Sequence, residues 1–242
     1  TIFIHSAATV KFHEKLHLAV DINIKGTQEM LTLAKECQRL DSFVHISTAF
    51  SHCYREDVDE QLYDVQYDAD KIIQICNAIP QNMLEKITPD IIGKWPNTYV
   101  FTKAIAEDCT RKAAHQLPVC IVRPAIVTAT YKEPVRSWID NVYGATGIVV
   151  GSGVGLLRVA NINQDKTAEI IPADMVVNLV LAASYKTAVE RKPEASVYNL
   201  MSSPHNAVSW AKFMRLNARF GLFTPSLKSL WIYTMMLITN RT

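Results

Sequence analysis

The sequence predicts an α/β fold in which short apolar strands alternate with amphipathic helices, the order expected of a parallel sheet with helical crossovers. Three observations predict it. Apolar runs at 2–9, 42–50 and 118–124 end in small residues, hydroxyls or a proline; the stretches between them carry apolar residues at helical spacing; and a tyrosine and a lysine four residues apart follow the second run.

Taken in order, Ile2-Phe3-Ile4-His5-Ser6-Ala7-Ala8-Thr9 reads as a strand ending in small residues, where backbone lies close to something flat. Leu16 to Cys37 is predicted helical through Leu18, Ile22, Met30, Leu31 and Leu33, although Gly26 costs roughly 1 kcal/mol inside it and is expected to serve close packing. Ser42-Phe43-Val44-His45-Ile46-Ser47-Thr48-Ala49-Phe50 is a second strand whose carboxyl end presents Ser47 and Thr48, the place where open α/β sheets bind ligands. His45 alternates within it as a packed or hydrogen-bonded residue. Short helices follow at Asp68 to Ala78 and Gln81 to Ile92, each ended by a Pro or a Gly-containing breaker. Pro118-Val119-Cys120-Ile121-Val122-Arg123-Pro124 is a third strand, closed by its proline, with Cys120 as a small core residue. Gly144 to Gly155 is expected to form a loop on the substrate side. Pro172 to Val189 opens with Pro-Ala-Asp and continues as a helix, and Trp210 to Phe220 is the last helix.

Asn97-Thr98-Tyr99-Val100-Phe101-Thr102-Lys103-Ala104 carries the most informative pair, because a gap of four sets the Tyr99 phenol and the Lys103 ammonium on one helix face. An ammonium beside a phenol stabilises the phenolate and brings the group toward the range useful for proton transfer. An isolated Tyr-x-x-x-Lys is common on amphipathic helices, so its context must carry the argument.

That context resembles the extended short-chain dehydrogenase/reductase superfamily, a Rossmann-like fold with a doubly wound parallel sheet. Phe43 to Ala49, Tyr99 to Lys103 and Val122-Arg123-Pro124-Ala125-Ile126-Val127 carry the resemblance. Within the superfamily the chain is most similar to fatty acyl-CoA reductases, through His5 to Phe12, Asn23-Ile24-Lys25-Gly26-Thr27, Trp138 to Gly147, and Ile171 to Asn178. The match runs over roughly residues 1 to 220, and seven motifs in one order are far more specific than any one of them. The resemblance implies NADPH-dependent reduction of a long-chain acyl-CoA thioester, through the aldehyde, to a primary alcohol. It implies that Tyr99 donates the proton, that Lys103 lowers the phenol pKa while binding the nicotinamide ribose, and that Thr48 holds the substrate oxygen. Alternation along the strand would turn Ser47 to the opposite face. Ser6, Ala7 and Ala8 would form the backbone wall beside the nicotinamide, with Pro124 and Ile126 flanking the ring and Asn23 a weaker candidate. Membrane association at the peroxisome or endoplasmic reticulum, with the catalytic domain facing the cytosol, is implied as well.

The chain departs from that pattern mainly in lacking a Gly-rich turn after its first strand, where glycines let backbone approach a pyrophosphate and a helix N-terminus receives its charge. The chain therefore reads as an internal fragment, with residues 1–225 the later portion of an NAD(P)-binding reductase domain and 226–242 the start of a C-terminal helical segment. Gly147, Gly151, Gly153 and Gly155 lie after the tyrosine helix, with the wrong spacing for a dinucleotide fingerprint. Phe50 stands where relatives commonly have tyrosine. Two rivals remain: an extended dehydrogenase acting on a sugar nucleotide or a steroid, and a non-catalytic chain that keeps the fold without holding cofactor.

Composition narrows the classes further. A chain of 242 residues with 49% hydrophobic and 20% charged residues suits one large α/β domain. A net charge of +2 without a Lys/Arg run argues against nucleic acid, and the acidic stretch at Glu56, Asp57, Asp59 and Glu60 reads as a solvated loop. Five cysteines without Cys-x-x-Cys read as reduced thiols. His13 and His17 share ligand spacing, but Glu14 comes without a second acidic ligand, so no metal is expected. Leu230 to Ile238 is too short to span a bilayer and reads either as a buried helix or as an interfacial contact.

Overall fold

The computed structural model describes residues 1–239. Its first elements are β1 (Ile2–His5), α1 (Leu16–Ala19), a π-helical segment (Val20–Lys25), α2 (Gly26–Glu36) and β2 (Ser42–Ile46). Then come α3 (Ala69–Ala78), α4 (Gln81–Ile92), α5 (Thr98–Ala113), β3 (Val119–Pro124) and β4 (Ile126–Thr128). The chain continues through α6 (Gly144–Gly153), β5 (Val159–Asn161), β6 (Ile170–Pro172), α7 (Ala173–Glu190) and β7 (Ser196–Leu200). It closes with α8 (Ser203–Asn206), α9 (Trp210–Phe223) and β8 (Met236–Ile238).

The elements form two compact units. The first comprises residues 1–124 and 177–200 and holds a four-stranded sheet in the order β1-β2-β3-β7. All its pairs are parallel, with His5 opposite His45 and Ile46 opposite Val122. Helical crossovers make this possible, since parallel neighbours cannot be joined by a tight turn. β2 and β3 are buried along nearly their whole length, which explains their near-continuous apolar runs. The core beneath them gathers Leu16, Val20, Ile24, Leu31, Phe43, Leu84, Trp95, Phe101 and Ile105. Helix α5 starts where Asn97 caps it, its side chain accepting from the Val100 N–H at 3.0 Å. Asp68 caps α3 in the same way.

The second unit, residues 125–176 and 201–242, contains two parallel strand pairs, β4 with β6 and β5 with β8. Within it the Asp174 carboxylate accepts the backbone N–H groups of Tyr131, Lys132 and Glu133 at 2.8, 2.8 and 3.2 Å. These bonds, against a smaller desolvation cost, hold its pKa down to about 2.

Four expectations change. β1 ends at His5, so Ser6 to Ala8 lie beyond the strand rather than inside it. The glycine-rich stretch is helix α6, not a loop: alanine and the β-branched residues between its glycines extend an apolar run long enough to close i,i+4 bonds. Close packing does not explain Gly26, since a Cβ there would meet only Asp21 O at 3.8 Å, an ordinary contact. The stretch from 226 onward contains the strand β8 and no helix among the described residues, because Met236 to Ile238 find β5 as an edge to pair with. No helix of the described residues is long and apolar enough to cross a membrane.

Candidate active site

The site grows from the parallel register of the first unit. Because β1, β2 and β3 run in one direction, their carboxyl ends present Ser6, Ser47-Thr48 and Pro124 along one edge of the sheet. Pairing continues past β2, with Ser47 N–H donating to Val122 O at 2.8 Å and Ala49 N–H to Pro124 O at 2.9 Å. Pro124 thus stands directly beside the hydroxyl segment. Ile126 lies in the second unit, where its N–H bonds Glu169 O at 2.9 Å.

Thr48 and Tyr99 are brought together. Burial of Tyr99 pushes its phenol above the ordinary value, and the neighbouring Thr48 hydroxyl opposes the shift. Phe12 stacks on the Tyr99 ring at 5.9 Å between centroids. The Thr48 hydroxyl also accepts from the Phe50 N–H at 3.3 Å, which fixes its rotamer.

Lys103 spends its ammonium on the strand as well: its Nζ donates to Ile46 O at 2.7 Å, at the last residue of β2. Burial pushes the ammonium down to about 8, with the Glu107 carboxylate pulling the other way. The expected lowering of the phenol is corrected, because burial leaves it above its ordinary value: a partly buried Tyr99 beside Thr48 and a Lys103 anchored to the strand form the arrangement. Beneath them His5 and His45 lie 5.5 Å apart, both kept neutral first by burial and then by Lys103, His5 at about 4. Neither ring nitrogen of His45 has a hydrogen-bond partner, so it is packed rather than bonded.

Ser6 and Ala7 are exposed and Ala8 half-buried just past β1. Thr9 ties this segment down, its N–H donating to Asn23 Oδ1 at 2.9 Å while Asn23 Nδ2 donates to Thr9 O at 3.3 Å and to Thr102 Oγ1 at 2.9 Å. Asn23 thus links the small-residue segment to α5, one residue before Lys103, and satisfies backbone groups as a buried asparagine does. These residues fit the nicotinamide half of a dinucleotide. Small side chains leave a flat wall, and Lys103 spends one of three N–H donors on Ile46 O, keeping others for ribose hydroxyls. No glycine-rich turn for a pyrophosphate occurs among the described residues.

A second cluster was not predicted from the sequence. Glu107, one turn beyond Lys103, is 2% exposed and accepts from Ser47 Oγ, from Ser51 Oγ at 2.9 Å, from His52 Nε2 at 3.1 Å, and from Arg123 Nε and Nη2 at 2.9 and 2.7 Å. Burial alone would raise its pKa; the bonds from His52 and Arg123 and the guanidinium charge reverse that and hold it at about 2. The sequence did contain a signal. Arg123 interrupts a buried apolar strand, and a charge there requires a partner.

Comparison with known proteins places the chain among relatives. The family model described as Male sterility protein, an NAD-binding family, matches residues 1–180. The chain is 42% identical over 230 residues to "Fatty acyl-CoA reductase wat" of Drosophila melanogaster, covering 95% of this chain and 44% of the relative. It is 38% identical over 211 residues to "Fatty acyl-CoA reductase 2" of Homo sapiens, covering 87% of this chain and 41% of the relative. The chain thus spans less than half the length of these curated relatives. Among solved structures, the terminal R domain from the myxalamid PKS-NRPS pathway aligns with a TM-score of 0.65 at 18% identity, covering 97% of this chain and 48% of that one. UDP-glucuronic acid 4-epimerase from Bacillus cereus in complex with NAD aligns with a TM-score of 0.61 at 16% identity, covering 98% and 63%. These two likenesses show the shared Rossmann-like fold.

Proposed function

The chain belongs to the Male sterility protein family of NAD-binding domains, and from that premise we propose that it is the later part of a fatty acyl-CoA reductase. The reading is NADPH-dependent reduction of a long-chain acyl-CoA thioester to a fatty alcohol by way of the aldehyde, in a protein associated with peroxisomal or endoplasmic reticulum membrane and with its catalytic domain facing the cytosol. The observation that carries the activity is the meeting of the Thr48 hydroxyl and the Tyr99 phenol at the carboxyl edge of the sheet, with Lys103 anchored one turn away.

When bound, the nicotinamide supplies hydride to the carbonyl carbon. Negative charge then grows on the carbonyl oxygen, and the residues of this chain answer it. Thr48 Oγ donates a hydrogen bond to that oxygen and holds it in line, and Tyr99 Oη gives up its proton to it. The hemithioacetal so formed would break its C–S bond, releasing coenzyme A as the thiol and leaving the aldehyde, which would be reduced to the alcohol at the same residues with a second NADPH. A phenol raised by burial keeps its proton until that charge develops, which suits a donor better than a base. Lys103 would bind the ribose with the donors it does not spend on Ile46 O. Ser6, Ala7, Ala8 and Pro124, gathered at the carboxyl edge of the sheet, would lie beside the ring.

Thr48→Val should lower thioester reduction about 10²- to 10³-fold, the scale for losing one oxyanion donor, while Thr48→Ser should keep most of it. Assayed in the whole protein with palmitoyl-CoA, a sugar nucleotide and a hydroxysteroid beside NADPH, the same series separates the substrate classes. NADPH oxidation with the sugar or steroid and none with the thioester would replace the family reading with a sister dehydrogenase.

Lys103→Met should weaken both nucleotide affinity and turnover, because the ammonium would hold the ribose and so the ring in place for hydride transfer. It also leaves the half-buried Ile46 O without this partner, a loss of about 1 kcal/mol. A lysine with only that anchoring duty predicts a lower Tm with unchanged kinetics, and both quantities are measurable on one preparation.

A further inference from the structure

We propose that Glu107 is a positioning residue for the reaction proposed above, its carboxylate stapling both flanks of Thr48 to helix α5 and so setting the Thr48 hydroxyl against Tyr99. The inference rests on that reading for its kinetic consequence and on geometry alone for the staple. Three of the carboxylate's donors come from one short segment. Ser47 immediately precedes Thr48, and Ser51 and His52 follow it by three and four residues. Glu107 itself stands eight residues after Tyr99 and four after Lys103, on the same face of α5. One rigid helix therefore carries the phenol, the ammonium and the anchor of the hydroxyl segment.

The staple extends outward on both sides. Arg123 closes it from β3 through Nε and Nη2 on Glu107, and its third nitrogen, Nη1, donates to Asp59 O at 3.1 Å, further along the loop that follows Thr48. Tyr54 Oη lies 3.3 Å from His52 Nδ1, which leaves the imidazole bonded at both nitrogens. Ser51 N–H bonds Thr48 O at 3.2 Å, so the backbone on either side of the hydroxyl is tied down. Stability alone does not call for this arrangement, because a well-packed apolar pair often serves as well as or better than a buried ion pair. What five converging bonds supply is a fixed place for Thr48. A misplacement of about 1 Å in a reacting group can cost on the order of 10²-fold.

Glu107→Gln is the variant that tests it, since its amide nitrogen brings two donors into a cluster already made of donors. In the whole protein it should lower kcat for palmitoyl-CoA by about 10- to 100-fold with the KM for NADPH little changed. The discriminating measurement is the double-mutant cycle with Thr48→Val. If Glu107 acts by placing the Thr48 hydroxyl, it has nothing left to place in that background, and the double variant should fall within about threefold of Thr48→Val alone. Losses that multiply would assign Glu107 to general scaffolding and overturn the proposal.

Amide hydrogen exchange supplies an arm free of catalysis. In Glu107→Gln and in Ser51→Ala, exchange across 47–52 should quicken while β2 and the rest of α5 keep their protection; unchanged exchange across 47–52 would overturn the staple. If Glu107→Gln fails to fold, Ser51→Ala, which removes a single 2.9 Å bond, carries both arms. A wild-type protein that reduces no acyl thioester would sink the functional reading, and the exchange result would still decide the staple.

Discussion

Tyr99→Phe in the whole protein should keep its fold and Tm while losing about 10²- to 10⁴-fold in turnover, the usual contribution of a positioned general acid. The substitution keeps the ring, its stacking on Phe12 and its burial, and removes only the hydroxyl that meets Thr48. The KM for the thioester should move little, because the proton is needed in the transition state rather than in the bound complex. Since burial holds the phenol above its ordinary value, the donor keeps its proton through neutral pH, and the wild-type rate should fall only on the alkaline side, where Lys103, held at about 8, loses its charge before the phenol loses its proton. Rates near wild type for Tyr99→Phe would take the proton away from this residue.

The parallel sheet was legible in the sequence because β2 and β3 are buried on both faces, and such strands must be apolar almost without interruption. Capping residues located helices equally well, as Asp68 and Asn97 show. Other elements depended on partners distant in sequence. Met236 to Ile238 become a strand only because β5 offers an edge, and no local periodicity reports that. For α6 the count of glycines misled: the apolar residues between them close a helix, although each glycine alone disfavours one.

At the site the spacing of Tyr99 and Lys103 gave their common face, and alternation along β2 gave Ser47 and Thr48 different directions. The structure turns Ser47 to Glu107 and Thr48 to Tyr99. Where spacing fell short was in choosing a partner for the lysine. A carbonyl at the end of β2 competes for the ammonium, and that carbonyl comes from 57 residues upstream. Glu107 was hidden for the same reason, its donors arriving from the loop after β2 and from β3.

Arg123→Met should be among the most destabilising single substitutions in the chain. The guanidinium is fully buried and supplies two of the bonds to Glu107, so its removal leaves a carboxylate sealed from water with Ser47, Ser51 and His52 as its remaining donors. Breaking a buried pair this way costs about 3–5 kcal/mol, a fall in Tm on the order of 10 °C for a domain of this size. Adding Glu107→Gln should return part of that loss, because no charge then stays buried. The pH dependence carries a second signature. In the wild type, Glu107 is held at about 2 against an ordinary 4.5, so its contribution is complete above about 4.5 and lost as pH falls toward 2. Without the guanidinium, burial becomes the stronger influence and lifts the carboxyl, so protonation stabilises the folded variant as pH falls. The gap in Tm between wild type and Arg123→Met should therefore narrow on acidification from pH 7 toward 4. A gap that stays constant over that range would mean that the destabilisation comes from lost packing of a long side chain, and that Glu107 does not depend on Arg123 for its charge.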